Sequence, residues 1–161
     1  MITIDQILSR EGKSRRHGSG ITSSDLNGVW MLMENWNRGG GSPPPGTSTL
    51  LRMVGAQLCV KTTDDVLEIS NQISLGGLKL RFQGVGELKG DRPILFFQFS
   101  TMVLSLGSRT LLSKDLPAPP SNRMPFFALI DLERQASSDW LAARGRGGGL
   151  ALWKRVEVAA E

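Results

Sequence analysis

Tyrosine is absent from this chain, cysteine and histidine occur once each, and no hydrophobic run is long enough to span a membrane. Each shortage removes a class of function. The single Cys59 can form no intramolecular disulfide. It lies in the apolar run Ala56-Gln57-Leu58-Cys59-Val60, where it reads as a small hydrophobe, and an unpaired thiol suits a reducing compartment. His17 is the one histidine, so a Ser-His-Asp or Cys-His arrangement would have to recruit it from a polar, basic stretch near the N-terminus. Zinc sites need clustered Cys and His, and no cluster exists. The adjacent carboxylates Asp64 and Asp65 stand between two strand-like runs and read as a solvated turn rather than an acid/base pair. No catalytic residue, metal ligand or cofactor is therefore assigned.

Targeting and spanning segments are equally missing from the reading. Met1–Arg10 contains Asp5 and lacks the apolar core of a secretory signal. A helical span needs about 20 apolar residues, which no run supplies. The expectation is a cytoplasmic protein, or one peripheral to a membrane. Lys and Arg outnumber Asp and Glu by 19 to 15, a formal net charge of +4. That mild excess, without a focused basic face, makes nucleic acid a weak candidate partner.

What is present suits one strand-rich domain. The 161 residues fit a single core, 40% of them are hydrophobic, and 19 are glycine. Residues 1–10 predict a short amphipathic helix with Ile4, Ile7 and Leu8 on one face. Residues 11–24 are basic and Gly/Ser-rich and predict a flexible linker carrying Lys13, Arg15, Arg16 and His17. The domain proper is expected over 25–157, with a tail at 158–161. Strands are predicted over Leu26–Glu34, Leu50–Val54, Ala56–Thr62, Val66–Ile73, Leu78–Leu88, Ile94–Phe99 with Met102–Leu106 continuing it or pairing with it, Phe126–Leu132, Trp140–Arg144 and Gly149–Val156. Asn37–Gly46 and Leu116–Pro125 are Pro-rich loops.

The clearest signal is Leu78–Leu88, where Leu78, Leu80, Phe82 and Leu88 alternate with Lys79, Arg81, Gln83 and Glu87. That is period-2 patterning, with one face in and one out. Gly84 and Gly86 fall on the inward parity, where a missing side chain lets a strand bend. Gly145–Gly149 predicts a hairpin turn, because glycine supplies positive φ. It superficially suggests an RNA-binding RGG element or a phosphate cradle. A phosphate loop, however, would lead into a helix N-terminus rather than the strand-like residues that follow. No βαβ alternation appears, so an antiparallel meander closed into a barrel is predicted, about 8–10 strands with a short N-terminal helix. A two-sheet sandwich carries the same patterning.

Two segments resemble the plastid lipid-associated protein family, the fibrillins or plastoglobulins of plants and cyanobacteria. The first is Leu26-Asn-Gly28-Val-Trp30-Met-Leu32, similar to the family's opening L-x-G-x-W-x-L and to the G-x-W entry of lipocalins. The second is Asp139–Arg155, similar without a gap to the closing D-x-x-[IL]-x-R-G-x-x-G-x-[LIV] hairpin. Leu141, Ala142 and Arg146 depart from residues common in the family. The resemblance spans roughly residues 25–156 and implies a lipocalin-like (calycin) barrel near thylakoid membranes. It also implies a lipid, quinone or carotenoid ligand, and the missing transit peptide fits a cyanobacterial version.

The function expected on these grounds is non-enzymatic binding of an apolar small molecule, with possible peripheral membrane contact. Inward parity nominates Trp30, Leu32, Leu80, Phe82, Phe97 and Phe99 as ligand-contacting residues. A late arginine, Arg155 or Arg144, is expected to close the barrel across Trp30 by a cation–π contact. Two alternatives stay open at this point. One is a protein- or RNA-binding assembly factor using the barrel surface. The other is a chromophore lyase on a related calycin barrel.

Overall fold

Antiparallel strands make up most of the chain over residues 2–38, 56–64 and 66–157, the residues described by this computed structural model. Helix α1 (Ile4–His17) comes first and a 3-10 turn (Ser24–Leu26) follows. Then come β1 (Gly28–Trp36), β2 (Gln57–Thr63), β3 (Val66–Leu75), β4 (Leu78–Lys89), β5 (Ile94–Leu106), β6 (Arg109–Asp115), β7 (Phe126–Glu133), β8 (Trp140–Gly145) and β9 (Leu150–Val156). The strand predicted at Leu50–Val54, the Pro-rich loop beyond Arg38 and the tail at 158–161 lie outside the described residues.

Every observed pairing is antiparallel. β1 pairs with both β2 and β9, and β4 pairs with β5, so the sheet closes on itself in the order β1-β2-β3-β4-β5-β7-β8-β9. Closure satisfies the backbone edges that an open sheet would expose. The ring is not a regular barrel, because its strands differ in length. β4 and β5 have 12 and 13 residues, whereas β8 and β9 have 6 and 7. β7 pairs with β5 only from Ile94 to Phe96, and from Thr101 onward the same edge of β5 takes β6 instead. The far ends of β3, β4 and β5, with β6, therefore project beyond the ring as an arm.

Two apolar clusters hold the fold. The inner one contains Trp30, Leu32, Leu58, Val60, Leu67, Ile69, Leu95, Leu129, Leu141, Ala143 and Trp153. The outer one sits between α1 and the outside of β7–β9, where Ile7 packs on Ile130, Ala142, Leu150 and Leu152. Burying Ile7 contributes about 1.5–3 kcal/mol. The second cluster explains why β8 and β9 are apolar on both faces: one face looks into the ring and the other carries a helix.

Three sequence expectations are corrected or decided. First, α1 does not stop at residue 10. Residues 11–17 are helical, and Glu11 and Ser14 are buried. A capping box between Thr3 and Gln6 starts the helix, and the Gly18 N–H bonds back to the Ser14 carbonyl at 2.8 Å to end it. The basic, polar run looked like linker because its partners are distant in sequence. The Glu11 carboxylate takes both Nε and Nη2 of Arg144 at 2.6 Å and Nη2 of Arg15 at 3.1 Å. Arg10 pairs with Asp131 and, at 2.6 Å, with Glu133. His17 thus ends a docked helix. Second, of the continuation and the pairing left open for Met102–Leu106, the continuation holds: Ile94–Leu106 is one strand, with Ser100 as the extra residue of a bulge opposite Gln83 and Gly84. Third, residues 109–115 form β6, for which the sequence suggested no element. Its seven residues are all exposed, so no burial pattern marks them.

Gly84 lies against the bulge in β5. A Cβ there would overlap the Gln98 carbonyl oxygen and lie 2.8 Å from the Phe99 Cα, both rigid backbone. Gly84→Ala is expected to lower stability by about 1–3 kcal/mol in urea unfolding, while alanine at the exposed Gly147, which meets nothing within 4 Å, leaves it nearly unchanged.

Arg144 holds the Glu11 carboxyl below the usual range for a glutamate, overcoming the opposing effect of burial, with help from Arg15. A depressed carboxyl stabilises the fold above its unfolded value, near 4.5, and the contribution disappears as pH falls through the depressed folded value. Glu11→Gln is expected to cost about 3–5 kcal/mol at neutral pH, since it leaves the arginines unpaired. The gap between wild type and variant should narrow in unfolding curves taken progressively below pH 4.5.

Candidate functional site

The two ends of the ring are built differently. At one end Trp30 is 0% exposed. Its indole N–H donates to the Leu26 carbonyl at 2.8 Å, which ties β1 to the 3-10 turn. Arg155, its direct partner in the β1–β9 register, lays its guanidinium over the indole with Cζ 4.4 Å from the ring centroid. The same guanidinium donates to the Asp25 carbonyl at 2.7 Å and to the Asn27 carbonyl, and it pairs with Asp139 at 3.0 Å. Thr62 adds a backbone N–H to the Asn27 side-chain oxygen at 2.6 Å and a hydroxyl to the Ser23 carbonyl at 3.1 Å. This end is sealed.

The Gly-x-Trp spacing has a local cause here. Gly28 has φ +132°, and a Cβ on it would lie 3.0 Å from Arg155 Nη1. Glycine therefore clears the path by which the guanidinium crosses to Trp30. Arg144, the other arginine considered for this role, points outward and is held by Glu11.

The opposite end is different. Cross-strand registers place Leu67, Gly86 and Phe97 in one row of the inner face, then Ile69, Gly84 and Phe99, then Asn71, Phe82, Met102 and Lys114. The next row is Ile73, Leu80, Leu104 and Leu112, and the last is Leu75, Leu78, Leu106 and Arg109. The inner face of the ring thus continues onto one face of the arm, apolar but for Asn71 and, at the β6 edge, Lys114 and Arg109. The opposite face of the arm carries Gln72, Arg81, Val103 and Ser113, then Ser74, Lys79, Ser105 and Thr110. Leu75 is 60% exposed and Leu106 53% exposed at the two hairpin tips, and Leu78, Leu111 and Leu112 are exposed with them.

Aromatic rings pave the inner end of this face. Phe82 meets Phe99 at 5.7 Å between centroids, Phe99 meets Phe97 at 5.4 Å, Phe97 stacks on Phe127 at 5.2 Å, and Phe127 meets Trp153 edge-on at 6.2 Å. The four phenylalanines are only half-buried, whereas Trp153 belongs to the core. Offset and tilted rings at these distances form a cohesive apolar surface.

Of the residues nominated from sequence, Leu80, Phe82, Phe97 and Phe99 come together on this face. Trp30 and Leu32 do not join them: both are buried in the core, and Trp30 belongs to the sealed end. Sequence parity missed Asn71, Met102, Leu104, Phe127 and Trp153. The last four lie in strands apolar on both faces, and bulges near Met33, Ser100 and Ile130 shift the alternation partway along β1, β5 and β7.

Elsewhere the surface offers less chemistry. Cys59 faces outward into a shallow groove of about 470 Å³ with Lys61, Glu68 and Gln83. Among the described residues no three His, Cys, Asp or Glu side chains cluster to hold a metal, and no helix is long and apolar enough to cross a membrane. No protein family, curated protein or solved structure matches the chain.

Arg155→Leu is expected to open the sealed end. Loss of the cation–π contact and of the charged hydrogen bonds to the Asp25 and Asn27 carbonyls should cost about 2–4 kcal/mol in urea unfolding. Arg155→Lys keeps the charge but not the planar fork, so it should recover little of that loss.

Proposed function

We propose that this protein binds a small apolar molecule, without catalysis, on the aromatic inner face at the open end of the ring, and meets a membrane surface with the arm. The observation that carries this reading is the largely apolar face that continues from Phe97 and Phe99 out to the exposed Leu75 and Leu106. A stable monomer gains nothing from leaving several leucines in water at two adjacent hairpin tips; exposed apolar patches of this kind mark contact sites. Half-buried phenylalanines offer a planar or polyene ligand both area and ring contacts.

Charge supports a lipid surface. The arm carries Lys79, Arg81, Arg109 and Lys114 against the single Asp115. Cations beside an inserting apolar tip suit anionic headgroups, each contributing about 1 kcal/mol near such a surface. The resemblance to plastid lipid-associated proteins adds the setting: a photosynthetic membrane of cyanobacterial type, with a lipid, quinone or carotenoid as ligand.

Flotation with phosphatidylglycerol-containing vesicles tests the membrane half. Wild type is expected to float, with less recovery on phosphatidylcholine alone, and the Leu75→Ser/Leu106→Ser double variant is expected to stay at the bottom. Organic extraction of protein purified from its own host tests the ligand half, with a pigment, quinone or lipid as the expected product. A protein that floats with neither vesicle and extracts empty would refute the reading.

A further inference from the structure

Across β3, β4 and β5 a single polar side chain interrupts the apolar inner face. Asn71 lies on β3 directly across from Leu58 on one side and Phe82 on the other. Two residues away along the strand, on the same face, are Ile69 and Ile73, and Met102 follows Phe82 in the row. These neighbours offer the asparagine no side-chain hydrogen-bond donor. Its Oδ1 is removed from solvent and has no hydrogen-bond partner.

An amide oxygen can take two hydrogen bonds, and burying it with none costs free energy that an apolar residue at the same place would not incur. Buried polar atoms in folded proteins are nearly always satisfied, so an orphan calls for an explanation. The position supplies one. Asn71 sits beside Phe82, the outermost ring of the Phe82–Phe99–Phe97–Phe127 series. Asn71 and Phe82 are cross-strand partners on one face, so a molecule seated on those rings would lie beside Asn71, and a small turn of the amide would present Oδ1 to it.

We infer that the ligand of the aromatic face carries a hydrogen-bond donor, a hydroxyl on an otherwise apolar and largely planar body, and that Asn71 Oδ1 accepts from it. This rests on the binding reading above and narrows its ligand class. Hydroxylated ring or polyene compounds are selected over their oxidised, etherified or plain hydrocarbon counterparts. Selection works through the hydrogen bond that only a donor-bearing molecule can give to Oδ1, which is already desolvated and unpaired in the free protein.

The test uses 1-pyrenemethanol and its methyl ether, followed by pyrene fluorescence anisotropy with the full-length protein. The alcohol donates a hydrogen bond and the ether does not, while both present the same ring system. Wild type is expected to bind the alcohol about threefold to tenfold more tightly. Asn71→Leu, which fills the position with an apolar group, should bind the two within about twofold of each other, by loss of affinity for the alcohol. Asn71→Ala serves the same purpose should the leucine fail to fold by circular dichroism. Equal affinities in wild type, or a preference that persists in both variants, would overturn the role of Asn71 and leave the aromatic site standing. Binding of neither probe, with no change in Phe97→Ala, would overturn the site itself and the inference with it.

Discussion

The ring and the arm both follow from a mismatch of strand lengths. A closed antiparallel sheet needs each strand to find a neighbour on both edges for as long as it stays in the wall. β8 and β9 are short and set the height of the wall on their side, while β4 and β5 run on. Their surplus must pair with something, and it pairs within itself: β3 with β4, β4 with β5, and β5 with β6. Side-chain alternation does not stop at the rim. The surplus therefore carries the inner, largely apolar parity outward, beyond the strands that form the opposite wall among the described residues.

The sealed end makes that asymmetry possible. Arg155 joins the last strand to the first and to the 3-10 turn through one planar group, which stacks on Trp30 and donates to two carbonyls. Glu11 does comparable work outside the ring, joining α1 to β8 through Arg144. Both fastenings use arginine, whose fixed fork loses little freedom on binding. With helix and closing strand held this way, the opposite end is left without a plug among the described residues, and its phenylalanines stay half-buried.

Legibility in the sequence tracked locality. The alternation of Leu78–Leu88 is written in one strand and reads directly as β4. The glycines of Gly145–Gly149 mark the β8–β9 turn, where Gly148 has φ +87°. A late arginine over Trp30 was legible because two residue types carry the contact, but the choice between Arg155 and Arg144 was not, and the β1–β9 register makes it Arg155. By contrast, residues 11–17 look like linker, since the partners that make them a docked helix, Arg144 for Glu11 and the Leu129 carbonyl for Ser14, are more than a hundred residues away. β6 has no buried face and so leaves no pattern. Parity in β5 and β7 is lost at single-residue bulges, which sequence does not announce.

The chain's composition and alternation by themselves determined an antiparallel, all-β fold with one N-terminal helix, and they placed Leu80, Phe82, Phe97 and Phe99 on a common inner face. Only the tertiary structure decided which end of the ring is sealed, that the inner face leaves the ring along an arm, and that Asn71 stands on it with an unpaired oxygen. The reason is physical. Alternation along a strand fixes which side a residue faces, but strand length relative to its neighbours and the pairing of distant charges fix what lies opposite.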